Sequence, residues 1–342
     1  MFAQLRRAVT DPFGVRSPAM PTATPPELTP AQQRTLTDLG AAGADRPVFS
    51  EDLAPRLRAD LEDGLAEVLG DLGPDEDLTL SKHLLGRVHG CEVRLLAEDA
   101  ADEPFTVTVP IARGSIAHKA VELGIHWKGE PLPLDLVDEA LASLAGSDHW
   151  LTDFLQTCTE AERAELRSTA GDRVAKFFES FPPLDARWRP VTESSLIVDV
   201  AGGRVRLRGK VDLTLGTARG MQAGKVIVDL KTGAPNPIHR DDLRFYALLD
   251  TIRLGVPPRL VASFYLDLAE ARTEAVTEGV LDATVARTVD AARRLTSLRA
   301  GTVEPVYRPS YGCRWCVALS GCANGRAFLA DEDLLDEDVD PT

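Results

Sequence analysis

Residues 204–215, RVRLRGKVDLTL, and residues 225–231, KVIVDLK, decide the fold because they hold the strongest strand patterns in the sequence. In the first segment the odd-numbered positions from 205 to 215 are apolar or glycine, and the even-numbered positions are polar. Successive side chains of a strand point to opposite faces. Asp212 therefore shares its face with a row of cations, Arg204, Arg206, Arg208 and Lys210. The second segment ends in Asp229-Leu230-Lys231, which places Asp229 and Lys231 on one side of their strand.

Asp212, Asp229 and Lys231 are residue types that suit phosphodiester hydrolysis. Carboxylates are hard oxygen ligands for Mg²⁺ or Mn²⁺. A lysine beside them can orient the attacking water and balance the negative charge of the transition state. The same three residues would also form an ordinary ion pair on an exposed sheet face, so their spacing by itself leaves both interpretations open.

The flanking sequence predicts helices before the strands, and strands alternating with helices after them. Strands are predicted at residues 196–200, 204–215, 225–231 and 260–266. Helices are predicted at residues 80–98, 112–123, 134–144, 151–178, 241–253 and 281–298. This order predicts an α/β fold whose sheet carries the candidate catalytic residues on one face.

Three of the five cysteines, Cys313, Cys316 and Cys322, lie within ten residues of each other. Five cysteines are too few for a disulfide scaffold in a chain of this length, and their clustering indicates metal binding in a reducing compartment. Four thiolates usually hold either an iron-sulfur cluster or structural zinc. Cys91 is the better candidate for the fourth ligand, and Cys158 is interpreted as a bystander inside a predicted helix.

The formal net charge of -15 argues against a nucleic-acid partner if only the sum is considered. However, the acidic excess is concentrated at residues 60–77 and 331–340, whereas the arginines of residues 204–208 lie beside the candidate site. No apolar run reaches the length of a membrane span, and the first residues lack the hydrophobic core of a secretory signal. We therefore expect a cytoplasmic protein without a membrane partner.

Gly209-Lys210-Val211-Asp212 and residues 228–233, VDLKTG, resemble the core motifs of the RecB-like branch of the PD-(D/E)XK nuclease superfamily. The segment from Gly114 to His118 is similar to the branch's upstream helix, and the segment from Asp242 to Tyr246 is similar to its helix after the lysine strand. The resemblance implies a restriction-endonuclease-like core, in which a mixed central sheet is flanked by helices. It also implies a DNA nuclease that uses Mg²⁺ or Mn²⁺.

The same resemblance assigns roles to individual residues. His118 would be a nitrogen ligand to the metal beside Asp212 and Asp229, and Lys231 would position the attacking water. Glu193 resembles an acidic position of the preceding strand, and Tyr246 belongs to the motif of the later helix. The residues expected to contact DNA are Arg204, Arg206, Arg208, Arg244 and Tyr246. Asp242 stands where the branch usually has Gln, and Glu92-Val93 stands where Pro-Arg is frequent.

The cysteine spacing resembles the iron-sulfur type of this branch, which includes the CRISPR-associated exonuclease and the AddB nuclease domain. In that type one cysteine precedes the histidine motif, and three follow near the carboxyl end with the x2 and x5 spacing of Cys313, Cys316 and Cys322. The resemblance implies that these three and Cys91 hold a [4Fe-4S] cluster that supports folding and closes the domain. Structural zinc remains the alternative.

These patterns divide the chain into a flexible segment at residues 1–30, a helical prelude at 31–77, a nuclease domain at 78–328 and an acidic tail at 329–342. The expected partner is single-stranded DNA or DNA ends, together with a helicase or another repair or defence protein. RNA is a second possible substrate. The alternative from another functional class is a catalytically silent DNA-binding or assembly scaffold. Residues 220–226 are similar to a phosphate-binding loop, but they connect two predicted strands and lack its Ser or Thr, so no ATP site is expected.

Overall fold

The computed structural model describes residues 27–40, 46–73, 76–101, 107–130, 132–147 and 149–337. Most of the predicted flexible segment lies outside these residues, as do positions 338–342 of the predicted acidic tail. No helix within the described ranges is long and apolar enough to cross a membrane.

Six strands form one mixed sheet, as expected for this α/β fold. They are β1 Leu78–Ser81, β2 Val191–Val200, β3 Val205–Leu215, β4 Val226–Lys231, β5 Leu260–Tyr265 and β6 Glu270–Ala275. The pairs β1–β3 and β4–β5 are parallel, whereas β2–β3, β3–β4 and β5–β6 are antiparallel.

Strand β3 is the central element because β2 pairs along one of its edges, and both β1 and β4 pair along the other. β1 pairs with residues 205–208 of β3, and β4 pairs with residues 213–215 of β3. Since β1 runs parallel to β3 and β4 runs antiparallel to it, the carboxyl ends of β1 and β4 approach each other. We call the open edge of β3 between them, residues 209–212, the fork.

Eleven helices belong to the described residues. They are α1 Pro30–Asp38, α2 Leu53–Asp71, α3 Lys82–His89, α4 Glu92–Ala100, α5 Val109–Ile125, α6 Pro133–Ser147, α7 His149–Thr157, α8 Glu160–Ser180, α9 Pro237–Leu254, α10 Glu278–Arg299 and α11 Ala323–Glu337.

The helices cover both faces of the sheet, which buries apolar side chains on each side. One core joins the sheet to α2, α9 and α10 through residues such as Leu61, Leu249 and Leu295. The other core joins it to α5, α6 and α8 through residues such as Ile116 and Phe177. Burial of apolar surface on both faces is the main stabilising contribution to this arrangement.

Two of the predicted long helices are each divided in the structure. The helix predicted at residues 80–98 is β1, α3 and α4, because Ser81 ends the strand and caps α3 by accepting a hydrogen bond from the Leu84 amide at 3.3 Å. The helix predicted at residues 151–178 divides before Thr159, whose capping box with Glu162 starts α8. β6 and α11 were not among the predicted elements. β6 is mostly exposed, so its sequence lacks the apolar alternation of a half-buried strand.

Candidate active site

The fork brings the two predicted catalytic carboxylates to neighbouring strands. Leu213 and Val228 are the last paired residues of β3 and β4 at this end, and Asp212 and Asp229 each lie one residue further on. The strands separate there, which leaves room for side chains between them. Gly114 lets α5 approach this end of β4, because a Cβ atom at position 114 would lie 3.2 Å from the Thr232 hydroxyl oxygen.

Asp212 is held by groups from two different elements. Its Oδ2 atom accepts a hydrogen bond of 2.7 Å from the Leu230 amide on β4. The same oxygen lies 3.6 Å from Nδ1 of His118, which α5 contributes. The sequence-predicted pair of Asp212 and His118 is therefore assembled from residues 94 positions apart (212 − 118).

Asp229 is buried, with 1% of its surface exposed, and is flanked by two ammonium groups. Lys231 Nζ lies 2.6 Å from its Oδ2 atom, and Lys82 Nζ donates a hydrogen bond of 3.2 Å to its Oδ1 atom. The Oδ2 atom is therefore compensated by Lys231 and the Oδ1 atom by Lys82. A buried carboxylate in low-dielectric surroundings requires such compensating charge.

Asp242 completes a ring of four charged side chains with Asp229, Lys231 and Lys82. Its Oδ2 atom lies 3.1 Å from Lys231 Nζ and 3.9 Å from Lys82 Nζ. The position where the resembling family usually has Gln therefore contributes a third carboxylate to the site.

Lys82 is the site residue that sequence reasoning missed. It is the first residue of α3, directly after β1, and so its ammonium enters the fork from the β1 side. That ammonium also lies over the Tyr246 ring, 4.8 Å from the ring centre. The available signal was the polar Ser81-Lys82 pair at the end of a short apolar segment, which the helix prediction for residues 80–98 concealed.

Tyr246 lies against the strand rather than toward solvent, with 1% of its surface exposed. Its ring packs on Gly209, where a Cβ atom would lie 2.5 Å from the ring. This contact explains the glycine of the motif, since a larger residue on β3 would displace α9 from the sheet.

Glu193 lies on β2 beside the fork and pairs with Lys210. Its backbone is in the left-handed region, with φ of 53°, which is uncommon for a residue other than glycine. Glu193 thus lies next to the predicted site, but its carboxylate is engaged by a cation of β3.

Most of the arginines expected to contact DNA have partners within the protein. Arg204 donates to the carbonyl oxygens of Gly73 and Glu76, and Arg206 pairs with Asp199 at 2.7 Å. The Arg244 Nε atom donates to Glu274 at 2.8 Å. Arg208 is exposed and has no ion pair with any residue that the structure describes. The predicted arginine row therefore serves largely to hold the fold at this surface.

The electrostatics of the site favour charged forms despite burial. Burial alone would lower the pKa of His118, but Asp212, supported by Asp229 and Glu193, raises the pKa of His118 above its ordinary value of 6.5. Burial alone would raise the pKa of Asp212, but His118 and Lys82 keep the pKa of Asp212 below its ordinary value of 3.8. Burial raises the pKa of Tyr246, so its hydroxyl stays protonated.

The donor types at the fork suit a hard divalent cation. Asp212 and Asp229 supply carboxylate oxygens, and His118 supplies an imidazole nitrogen. Among the residues that the structure describes, no three His, Cys, Asp or Glu side chains already lie close enough together to hold a metal ion. At the fork, the groups in contact with the Asp229 carboxylate are the ammonium groups of Lys82 and Lys231.

The four predicted cysteine ligands come together although Cys91 is more than 200 residues from Cys313. Cys91, Cys313, Cys316 and Cys322 line one cavity. Two of the sulfur atoms accept backbone hydrogen bonds, from Ser310 to Cys313 at 3.4 Å and from Gly325 to Cys322 at 3.3 Å. Cys158 lies away from them, and its thiol donates to the Leu155 carbonyl at 3.4 Å. Within the described residues, no three of these sulfur atoms lie close enough together to hold a metal ion.

Contacts between protein groups also attach the cysteine-rich segment to α4. Glu92 accepts hydrogen bonds from Arg294 at 2.9 and 2.6 Å and from the Val306 amide at 2.8 Å. The Glu92 amide in turn donates to the Val306 carbonyl at 3.1 Å. The hydrogen bonds from Arg294 keep the pKa of Glu92 below its usual range. This Glu92 junction joins the start of the domain to its end.

A family model and several solved structures match this chain. A family model described as the PD-(D/E)XK nuclease superfamily matches residues 82–323, which is more than half of the chain. The crystal structure of SSO0001 is 15% identical, with a TM-score of 0.32 over 78% of this chain and 94% of that one. A candidate exonuclease from Eubacterium rectale is 12% identical, with a TM-score of 0.43 over 82% of this chain and 93% of that one. Likeness of this degree does not indicate a shared activity. Comparison with curated proteins gives no match.

Proposed function

Because the chain belongs to the PD-(D/E)XK nuclease superfamily, we propose that it is a divalent-metal-dependent deoxyribonuclease of the RecB-like branch. The proposed substrate is single-stranded DNA or DNA ends, hydrolysed as by an exonuclease. The observation that carries the proposal is the grouping of Asp212, His118, Asp229 and Lys231 at the fork, where Asp212 lies 3.6 Å from His118 and the buried Asp229 lies 2.6 Å from Lys231.

In this proposal Asp212, Asp229 and His118 would hold Mg²⁺ or Mn²⁺, which supplies Lewis-acid polarisation of the scissile phosphate. Lys231 orients the attacking water and balances the charge that develops on the phosphate oxygens. Tyr246 and Asp242 hold the two lysines, since the ring lies under Lys82 and the carboxylate lies 3.1 Å from Lys231. Arg208 is the arginine of the predicted row that is best placed to meet a DNA phosphate, because it is exposed and forms no ion pair with a described residue.

The test compares cleavage of end-labelled single- and double-stranded DNA, covalently closed circular DNA and RNA in Mg²⁺ or Mn²⁺. We expect linear DNA to be degraded and circles to survive. Asp229→Asn and Lys231→Met should each lower the rate by roughly a hundredfold or more. Asp199→Asn is the matched control, because it removes an exposed carboxylate that pairs with Arg206. Cleavage of circular DNA would identify an endonuclease. Cleavage of RNA alone would show that RNA, and not DNA, is the substrate.

We also propose that Cys91, Cys313, Cys316 and Cys322 bind a [4Fe-4S] cluster. The shared cavity and the backbone hydrogen bonds to sulfur support this, because hydrogen bonds to thiolates are common around such clusters. Anaerobically purified protein should be brown and contain iron and acid-labile sulfide. Cys91→Ala should lose both, and Cys158→Ala should keep both. Stoichiometric zinc without iron would favour the structural-zinc alternative.

The proposed setting is DNA repair, recombination or phage defence in the cytoplasm, with a helicase or another protein of these pathways as partner. Its support is the nuclease family alone. Co-purification of the tagged chain from its own cells, with and without nuclease digestion of the extract, tests for a partner. A partner that is lost on digestion is bridged by nucleic acid rather than bound to the chain.

One observation favours the alternative of a catalytically silent scaffold. Lys82 Nζ donates to Asp229 at 3.2 Å, so an ammonium occupies one side of the carboxylate that would hold the metal. A scaffold would bind DNA in a salt-dependent way and cleave none of the substrates above in either metal. That result would reject the nuclease proposal.

A further inference from the structure

A surface cavity of about 700 Å³ lies at the end of the β3–β4 pair that is opposite to the fork. Leu215 and Val226, which pair at that end, form part of its wall. Asp212 and Asp229 lie three residues further along the two strands, or roughly 10 Å at the rise of a β-strand. The cavity is therefore separate from the catalytic residues but close to them.

Arginines dominate the lining of this cavity, although acidic residues outnumber Lys and Arg by 53 to 38 in the chain. The five arginines are Arg46, Arg187, Arg189, Arg219 and Arg259, and none of the described residues that line the cavity is Asp or Glu. Arg187 pairs with Asp185 at 2.6 Å. In the described part of the chain, the other four arginines form no ion pair. Such a concentration of uncompensated guanidinium groups favours an anionic ligand.

Arg259 is partly buried in this basic surface, and Arg46 is exposed beside it. Arg259 donates to the Leu39 carbonyl at 2.6 Å, and its buried Nε atom has no hydrogen-bond partner. Arg46 donates to the Gly224 carbonyl at 3.2 Å. Burial lowers the pKa of Arg259, and the Arg46 cation lowers the pKa of Arg259 further. Two like charges thus act on each other here, and neither forms an ion pair with a described residue, so an anionic ligand would relieve their repulsion.

Trp188 adds an aromatic surface between two of the arginines. It is half-buried and belongs to the tight turn of residues 187–189, in which Arg189 has the left-handed φ of 49°. The Trp188 carbonyl accepts a hydrogen bond from the Gly216 amide at 2.5 Å, which fixes this turn to the end of β3. Guanidinium groups bind phosphate oxygens, and indole rings stack on nucleobases.

We propose that this arginine cavity binds a nucleoside phosphate, with the arginines on the phosphate and Trp188 on the base. Two sources share this chemistry: a nucleotide unit of a DNA strand that extends from the fork, and a free nucleotide. We favour the strand because of the short distance to Asp212 and Asp229, and that choice rests on the proposed nuclease function. The cavity would then hold the substrate strand beyond the residues that cleave it.

The test measures binding of a fluorescent single-stranded oligonucleotide to the full chain in EDTA at several salt concentrations. The cavity variant is Arg189→Ala with Arg219→Ala. The control variant is Arg272→Ala with Arg293→Ala, which removes the same charge from exposed arginines that pair with Glu270 and Glu67. We expect the cavity variant to bind roughly tenfold more weakly and to lower the salt slope by about 1 to 2, because two phosphate contacts are lost. The control should change affinity by less than about twofold.

Calorimetric titration with dAMP and with inorganic phosphate distinguishes the two sources. If the cavity variant loses oligonucleotide binding and the parent protein does not bind dAMP, the cavity binds a DNA strand. If the parent protein binds dAMP and the cavity variant does not, the cavity binds a free nucleotide. Equal behaviour of the cavity and control variants with all three ligands would overturn the cavity proposal.

Cleavage by the parent protein is measured on the same preparation. If the parent cleaves DNA and both variants bind equally, the cavity proposal fails alone. If the parent cleaves nothing but the cavity variant loses binding selectively, the nuclease proposal fails alone.

Discussion

Lys82 gives the fork one more cation than the family motif implies, and it contacts the carboxylates that a metal ion would require. Its hydrogen bond to Asp229 and its contact of 3.9 Å with Asp242 stabilise these carboxylates when no metal is bound. Burial alone would lower the pKa of Lys82, but Asp229 and Asp242 raise it, so the side chain stays charged. Metal and ammonium therefore compete for the same negative charge.

Replacing Lys82 should change metal affinity and stability in opposite directions. Lys82→Met should bind Mn²⁺ on the order of tenfold more tightly, because it removes a like charge from the ion's surroundings. Without metal the variant should be less stable by about 1 to 3 kcal/mol, since Asp229 loses a hydrogen bond from a charged group. Calorimetric titration with Mn²⁺ and urea unfolding in EDTA measure the two effects.

Lys119→Met is the matched control for this comparison. Its ammonium pairs with Glu122 on the same helix at 2.9 Å and is comparably exposed. Unchanged or weaker Mn²⁺ binding by Lys82→Met would show that Lys82 does not compete with the metal.

The pair of His118 and Asp212 should make stability depend on pH in a defined window. The raised pKa of His118 contributes stability that is complete below its ordinary value of 6.5 and is lost as the pH rises through the folded-state pKa. The lowered pKa of Asp212 contributes stability that is complete above 3.8 and is lost as the pH falls through the folded-state pKa. Both contributions are therefore complete between 3.8 and 6.5.

His118→Gln should remove most of the decline in the free energy of unfolding above this window. Urea unfolding in EDTA at several pH values measures it. His126→Gln is the control, because His126 is exposed and bonds Thr192 rather than a carboxylate. A decline as steep in His118→Gln as in the parent would assign the pH dependence to other groups.

Residue identity and local spacing selected residues that the structure places together at the fork. Asp212, Asp229 and His118 were predicted because each lies in a strand or helix whose periodicity is visible locally, and because the resemblance links these segments. Lys82 was missed because its partner Asp229 lies 147 positions away. Arg206 pairs with Asp199 of the adjacent strand β2, and Arg244 of α9 pairs with Glu274 of β6, so the sequence showed free cations where the structure has ion pairs.

At the scale of elements, the close approach of α9 to β3 determines where the active-site residues of that helix lie. Gly209 has no side chain, and the buried Tyr246 ring occupies the space that a Cβ atom would take. Since the Lys82 ammonium also lies over this ring, 4.8 Å from its centre, a shift of α9 relative to β3 would move Lys82 in the fork as well.

Gly209→Ala should therefore destabilise the protein by about 1 to 3 kcal/mol through overpacking and lower DNA cleavage by displacing Tyr246. The control is Gly70→Ala in α2, where no atom lies within 4 Å of the added Cβ. That variant should be unchanged or more stable by up to about 1 kcal/mol. Urea unfolding ranks the two variants, and equal stabilities would contradict the tight contact between Gly209 and Tyr246.

The element boundaries show what periodicity cannot resolve. The apolar spacing of residues 80–98 is compatible with one helix, yet Ser81 caps a new helix and Gly90-Cys91 separates α3 from α4. β1 was hidden because its four residues are too few for alternation to be distinguished from a helix. Its place in the sheet depends on β3, far away in the sequence.

At the scale of the whole molecule, the Glu92 junction should contribute to stability independently of any cluster. Glu92→Gln should lower the free energy of unfolding by about 2 to 4 kcal/mol, because it leaves Arg294 without its carboxylate. Solvent screens part of this cost, since Arg294 is partly exposed. Glu67→Gln is the control, since it breaks an exposed pair with Arg293 at 3.2 Å and should cost less than about 1 kcal/mol. Unfolding of cluster-free protein measures both, and equal effects would contradict a structural role for the junction.

The pairing of β1 with β3 also has a consequence in time during synthesis. Leu78 pairs with Val205, which is 127 positions later (205 − 78). A ribosome adds about 5 to 20 residues per second, so β1 waits roughly 6 to 25 seconds for its partner to be made. During that interval the nascent chain has no fork, so Asp212 and Asp229 are not yet brought together. β1 is only four residues long and leads directly into α3, which limits its capacity to pair with other nascent chains while it waits.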